Sequence, residues 1–173
     1  FGIHHVDGGW VYREWAPNAY QLYLTGEFNG WNWTSHPLSK LGGGIWVLYL
    51  PGDDTLWEGC RVKTIVDANM ERTAHIPLFA RRVIQEPHSI TWCAEVVDDR
   101  KQFEWTDDDF QGEKSLYIYE AHVGMAQEHG HVATYREFAD YTLPRIKEAG
   151  YNTVQLMAIM GHPYYGSFGY QVS

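Results

Sequence analysis

The feature that most constrains this chain is its last stretch, Leu116–Ser173, which opens an architecture longer than the chain can hold. Leu116-Tyr117-Ile118-Tyr119-Glu120-Ala121-His122-Val123-Gly124 reads as a buried strand ending in a glycine turn. A capped helix follows, then a second apolar strand from Asn152 to Ala158. Strand, helix and strand make one βαβ unit, the building block of parallel α/β sheets and barrels. A (β/α)8 barrel takes roughly 250 residues, whereas the whole chain has 173. The sequence is therefore expected to be the front of something larger, and the absence of an initiator Met at Phe1 fits that expectation.

The helix between the two strands is specified in detail. Thr134 is placed as its N-cap, with Glu137 three residues on, completing a Thr-x-x-Glu capping box. Phe138, Tyr141, Thr142, Ile146 and Ala149 follow at helical spacing, and Gly150 supplies the stop. Pro144 lies inside this span and is expected to kink the helix or divide it in two.

The first hundred residues have a different rhythm. Val11–Trp15, Gln21–Phe28, Ile45–Leu50, Arg61–Asp67 and Thr91–Val97 are strand-like runs. They are divided by the turn signals Ala16-Pro17-Asn18, Asn29-Gly30, Gly42-Gly43-Gly44 and Pro51-Gly52-Asp53-Asp54. Both faces of the 45–50 run are apolar, as for a strand covered on each side. Many short strands at this spacing, with no helix-length amphipathic window before Thr134, predict a mainly β chain that opens with a β-sandwich. Asp98–Glu113 reads as a solvated linker, and a boundary there gives domains 1–105 and 106–173. The three carboxylates Asp107-Asp108-Asp109 lack the spacing of a calcium loop.

Charge and composition narrow the function. A net charge of −9 argues against a nucleic-acid partner, which needs clustered Lys and Arg, and Arg81-Arg82 reads as a solvated pair. No apolar run reaches the eighteen residues of a membrane helix, so no membrane partner is expected. Cys60 and Cys93 lie in separate strand-like segments without metal-ligand spacing and are expected as buried reduced thiols in a cytoplasmic protein. His129 and His131 have a loop spacing that suits a metal, but no third ligand is evident. Eight Trp residues and an aromatic share of 16% leave two readings open: core packing, or exposed rings that stack on sugars.

Motifs in order along the chain then give a family resemblance. Arg13-Glu14-Trp15-Ala16-Pro17-Asn18-Ala19 and Gly26-Glu27-Phe28-Asn29-Gly30-Trp31 resemble the signatures of the family 48 carbohydrate-binding module. Ser35-His36-Pro37-Leu38 and Arg72-Thr73-Ala74-His75-Ile76-Pro77 also match that module as it occurs in eukaryotic-type glycogen (1,4-α-glucan) branching enzymes. Tyr119-Glu120-Ala121-His122-Val123-Gly124-Met125, Leu143-Pro144-Arg145-Ile146-Lys147 and Tyr164-Tyr165-Gly166-Ser167-Phe168-Gly169-Tyr170 are similar to the opening of the catalytic barrel of those enzymes, members of the α-amylase superfamily.

The resemblance implies an immunoglobulin-like (E-set) β-sandwich followed by the first βαβ unit of a truncated (β/α)8 barrel. It implies an α-1,4-glucan partner such as glycogen, no metal or organic cofactor, and a parent enzyme that cleaves an α-1,4 bond and transfers the chain to a 6-hydroxyl. Such retaining transfer needs two carboxyl groups about 5–5.5 Å apart, which in this family lie on later barrel strands. No residue here is given a catalytic role, and the chain alone is expected to be inactive. Every Asp and Glu is read as surface charge, with Glu120 as a structural residue at a strand end. Three sugar contacts carry over: Trp31, stacking on glucose; Lys63, assisting from a strand; and Tyr170, offering a ring beside the scissile bond. A second platform would fall near Met70, which is a departure, and Gly161 departs from the Glu expected before His162. A stand-alone glycogen-binding or regulatory module, or a purely structural sandwich, remains the alternative.

Overall fold

A computed structural model of the protein describes residues 1–86, 88–101, 103–162 and 164–172. Residues 87, 102, 163 and 173, including the Ser173 that closes the C-terminal stretch, lie outside the described residues. The chain forms two compact units, Phe1–Glu104 and Trp105–Ser173.

The first unit is a β-sandwich. One sheet has the order β1-β2-β5-β4, from β1 (Gly2–Val6), β2 (Gly9–Trp15), β5 (Ile45–Pro51) and β4 (Ser39–Gly42). The other runs β3-β6-β9-β8, from β3 (Gln21–Gly26), β6 (Arg61–Ala68), β9 (Trp92–Glu95) and β8 (Val83–Gln85), with β7 (Glu71–His75) on the far half of β6. All of these pairings are antiparallel. The five predicted runs are all strands; β1, β4, β7 and β8 are additional.

Period-two alternation builds the core between the sheets. Trp10, Tyr12, Trp46 and Leu50 from the first sheet meet Leu22, Leu24, Val62 and Ala94 from the second. Ala19, Leu38, Leu56, Cys60 and Val96 close its ends. Each large apolar side chain contributes about 1.5–3 kcal/mol by leaving water. The indole N–H groups of Trp10 and Trp46 donate to Asp53 O (3.0 Å) and Ala16 O (2.9 Å), so neither ring buries an unpaired donor. The expectation that both faces of the 45–50 run are covered is corrected. Trp46 and Leu50 are buried, whereas Ile45 and Val47 are half-buried and Tyr49 is 51% exposed.

The surface reading of the acidic residues fails at two positions. Glu14 is only 4% exposed and accepts from Tyr12 Oη (2.7 Å), Trp15 N (2.9 Å) and Leu78 N (2.7 Å). Burial, reinforced by the Glu14 carboxylate, pushes the Tyr12 hydroxyl well above the ordinary tyrosine value. Asp98 is likewise 4% exposed and accepts from Arg100, whose hydrogen bonds pull its carboxyl down to about 2. Arg81 and Arg82 are also not a free solvated pair: they reach Asp99 and Glu58 respectively.

The second unit contains β10 (Ile118–His122) and β11 (Thr153–Met157), paired parallel, with the helical crossover between them in sequence. The capping box is formed: Thr134 Oγ1 accepts from Glu137 N (3.1 Å), and Glu137 accepts from Thr134 N (2.8 Å). The bond from Thr134 N, followed by those from His131 and the Thr134 hydroxyl, holds the Glu137 carboxyl down to about 2. The helix is divided as Pro144 demands. A short turn α1 (Tyr135–Glu137) runs into a π-helical turn (Phe138–Thr142), and α2 (Leu143–Glu148) begins with the proline in its first turn. Gly150, at φ 92°, ends it. Phe138 and Ile146 are buried against Ala121 and Val123, but Tyr141 and Ala149 of the expected apolar face are exposed. The expected buried strand is likewise mostly exposed: in β10 only Ala121 is buried.

Candidate functional site

The turn that carries Trp31 is built by its neighbours. β3 ends at Gly26, a 3-10 turn (Glu27–Asn29) follows, and Gly30 and Trp31 both take φ 61°. Glycine adopts this left-handed region freely, whereas for a bulky side chain it is an outlier costing roughly 1–2 kcal/mol. Two anchors hold Trp31 there. The Arg61 guanidinium and backbone N–H bind the Glu27 carboxylate (2.6–2.9 Å), and that hydrogen bonding draws the carboxyl below its usual range. The Asn29 amide sits at the centre of the loop. Its oxygen accepts from Gly26 N (3.0 Å), and its nitrogen reaches Asn32 O (3.0 Å), Leu24 O (3.3 Å), Ser35 Oγ (3.0 Å) and His36 Nδ1 (3.1 Å). Trp31 N itself donates to Gly26 O (2.8 Å). The indole is half-buried.

Lys63 lies on β6 opposite Thr25, one register step from the Gly26–Val62 pair, so β3 and β6 bring it to the end of the sheet from which the Trp31 turn departs. Val62 and Thr64 on either side are buried, and Val62 belongs to the core; by alternation Lys63 faces the other way. Its ammonium makes no hydrogen bond or ion pair among the described residues, leaving its three donors available to a hydroxyl-rich ligand. Cys93 lies within its electrostatic reach; burial, the larger effect, lifts that thiol to about 12. Burial likewise raises Cys60, to about 11, so neither cysteine is a nucleophile at neutral pH. Met70 occupies the tip of the two-residue β6–β7 hairpin, 99% exposed, with both Asn69 and Met70 at positive φ.

Tyr170 belongs to the second unit and is 64% exposed. The segment leading to it rests on the C-terminal ends of the two parallel strands. His122, last in β10, donates from Nε2 to Phe168 O (2.7 Å), while its buried Nδ1 has no partner among the described residues. Gly169 passes so close to Ala158 that an added Cβ would lie 2.7 Å from its carbonyl oxygen, which is why glycine stands there. His162 is a hydrogen-bonding residue, its Nδ1 meeting Met160 O (3.1 Å). His131 pairs with Glu137 (3.1 Å), and among the described residues no three His, Cys, Asp or Glu side chains converge on a metal position. A hollow of about 920 Å³ runs along this unit, lined by Tyr119, His122, Met125, Tyr141, Arg145 and Ile146 among others.

The sequence thus located the Trp31 turn and the Lys63 strand, and its motifs held Glu27, Asn29 and His36, but it did not assign these residues, or Arg61, the bracing of the turn. The signals were the Gly26–Trp31 motif, which holds Glu27 and Asn29, and the Ser35-His36-Pro37-Leu38 motif, whose His36 closes the loop.

Comparison with known proteins follows the same division. Residues 1–80 match the family model for carbohydrate-binding module 48 (isoamylase N-terminal domain). Over its full length the chain is 43% identical to a 1,4-alpha-glucan-branching enzyme of Aspergillus oryzae and 40% identical to that of Dictyostelium discoideum, covering 26% of each. It is 39% identical, over 99% of its length, to the chloroplastic/amyloplastic 1,4-alpha-glucan-branching enzyme 2-2 of Arabidopsis thaliana, covering 22% of it. The chain therefore spans about a quarter of the length of these relatives. Among solved structures, the pullulanase of Paenibacillus barengoltzii matches with a TM-score of 0.72 at 18% identity, covering 94% of this chain and 27% of that one. The Group B Streptococcus pullulanase SAP matches with the same score and identity over 95% and 24%. At that identity the likeness speaks for the fold alone.

Proposed function

We propose, from the match of residues 1–80 to carbohydrate-binding module 48 and the identity along the whole chain to 1,4-alpha-glucan-branching enzymes, that the chain is the glucan-holding and barrel-opening part of such an enzyme. The parent reaction would cleave an α-1,4 bond and transfer the freed chain to a 6-hydroxyl, making an α-1,6 branch in glycogen or a similar glucan. The observation that carries this reading is identity of about 40% extending through both units, not the module alone. A regulatory sandwich would have no use for the strand–helix–strand of the second unit.

In this reading the first unit binds an α-1,4-glucan through the Trp31 ring, with Lys63 donating to hydroxyls. A strained, internally braced tryptophan is the kind of feature that accumulates where a ligand is held. The second unit is the first βαβ of a (β/α)8 barrel, and the exposed apolar positions of β10 and β11 are those that further strands and helices would cover. Tyr170 then lies beyond the C-terminal strand ends, the face where barrels do their chemistry, and offers its ring to the sugar beside the bond being cut.

The test is a branching assay on amylose with the complete product of the gene that encodes this chain, read as new α-1,6 anomeric signals by proton NMR. The proposal predicts their appearance, and none with residues 1–173 alone. A complete product that leaves amylose unbranched would overturn it.

A further inference from the structure

The loop between Gly26 and Leu38 is closed by one polar knot, and its chemistry depends on the protonation state of one ring. The orientation of the Asn29 amide is fixed from three sides by backbone: its oxygen takes the Gly26 N–H, and its nitrogen faces the carbonyls of Leu24 and Asn32. The same nitrogen is 3.1 Å from His36 Nδ1, and Ser35 Oγ is 2.8 Å from that atom. An amide NH2 has no lone pair to offer and its two hydrogens are shared among these neighbours, so the arrangement that suits every group is a neutral ring with its proton on Nε2 and Nδ1 accepting from the Asn29 amide or the Ser35 hydroxyl. Protonated His36 would lose that acceptor, place its Nδ1–H beside the amide N–H and leave Ser35 Oγ as its one acceptor there among the described residues.

Resting on the reading of Trp31 as a glucan platform, we propose that Asn29 and neutral His36 form the positioning pair that holds Trp31 in its left-handed, sugar-stacking conformation, so that protonation of His36 releases the platform.

Among the described residues, no charged side chain bears on His36. Phe28 meets the ring edge-on with centroids 4.9 Å apart, Asn29 and Ser35 face it from its own loop, and β3 reaches it through Leu24 N, which donates to His36 O (3.0 Å). Burial alone holds the ring below the ordinary histidine value. The sign follows: the neutral ring belongs to the ordered loop, whose advantage is complete above a pH of about 6.5. That advantage is lost as pH falls through the lowered value. Neither Asn29 nor His36 touches the sugar in this account; both act through Trp31.

The experiment uses the 173-residue chain with two readouts. One is the affinity for maltoheptaose between pH 7.5 and 5.0. The other is the Trp31 indole N–H resonance, assigned by its loss in Trp31→Phe. Wild type should weaken about fivefold toward pH 5.0, the equivalent of roughly one hydrogen bond. Its Trp31 resonance should shift over the same range. His36→Asn keeps a side-chain acceptor near the Asn29 amide but carries no titrating proton, so both profiles should become flat. Asn29→Ala should weaken binding about fivefold or more at pH 7.5. A Trp31 resonance that titrates with His36 while no protein binds maltoheptaose supports the positioning pair and defeats the glucan reading. Trp31-dependent binding whose pH profile is unchanged in His36→Asn overturns the positioning pair and leaves the glucan reading standing.

Discussion

Replacing Glu14 tests whether a buried carboxylate organises the sandwich. The side chain sits on the inward face of β2, in step with Trp10 and Tyr12, and accepts three hydrogen bonds. In Glu14→Ala the Tyr12 hydroxyl keeps Thr64 as a partner, whereas the Trp15 and Leu78 N–H groups lose theirs. A hydrogen bond to a charged group contributes about 1.5–3 kcal/mol. Two of them sum to roughly 3–6 kcal/mol, and because Trp15 and Leu78 are themselves exposed, water recovers part of their share, leaving about 2–4 kcal/mol. That is a large part of the ~5–15 kcal/mol that holds a typical domain together. Urea unfolding of the 173-residue chain, followed by tryptophan fluorescence, should show the midpoint falling by roughly 1–2 M at a slope of about 2 kcal/mol/M. Glu14→Gln keeps one oxygen and should lose about half as much. A midpoint shift below about 0.3 M in Glu14→Ala would show that the carboxylate is dispensable and the hydrogen-bond argument wrong.

Other perturbations follow from single contacts. Asp98, held at about 2 by Arg100, lends the fold stability that is present above the ordinary carboxylate value near 4 and lost as pH falls toward 2. Asp98→Asn should remove that part of the acid transition in a urea–pH series, and an unchanged acid limb counts against it. Met70→Gly gives the β6–β7 hairpin the Asn-Gly pair its two positive φ values favour and should raise the thermal midpoint, by about 1 kcal/mol of stability; a lower midpoint contradicts the strain reading. Thr134→Ala breaks the capping box and should cost the crossover helix about 1 kcal/mol, seen as faster amide exchange at Glu137. Equal exchange in both proteins would refute the role of the cap.

The sequence made much of this architecture legible, and the exceptions have physical causes. β2, β3, β5, β6 and β9 announce themselves because each carries inward apolar residues at period two. β7 does not, since all five of its residues are exposed and it exists only by pairing with β6. β1, rich in histidine, and the three-residue β8 are held by their neighbours in the same way. The burial of Glu14 was readable in principle from its parity with Tyr12, but a charged residue at an inward register reads as surface until its donors are known. The Trp31 turn was visible as Asn-Gly-Trp. The bracing role of Asn29, His36, Glu27 and Arg61 was not, because a side chain that bonds several parts of a loop leaves no periodic trace. Likewise the exposure of β10 departs from its apolar sequence: within the strand Ala121 is buried and His122 half-buried, while Ile118, Tyr119 and Glu120 are exposed.

The central claim, that the sandwich holds an α-1,4-glucan on Trp31, is tested most directly by titrating maltoheptaose into the 173-residue chain and into Trp31→Ala at pH 7.5. The account predicts saturable binding to the wild type and at least a fivefold loss in the variant, the weight of about 1 kcal/mol of ring stacking. Equal affinity in the two proteins, or no binding to the wild type, would contradict it.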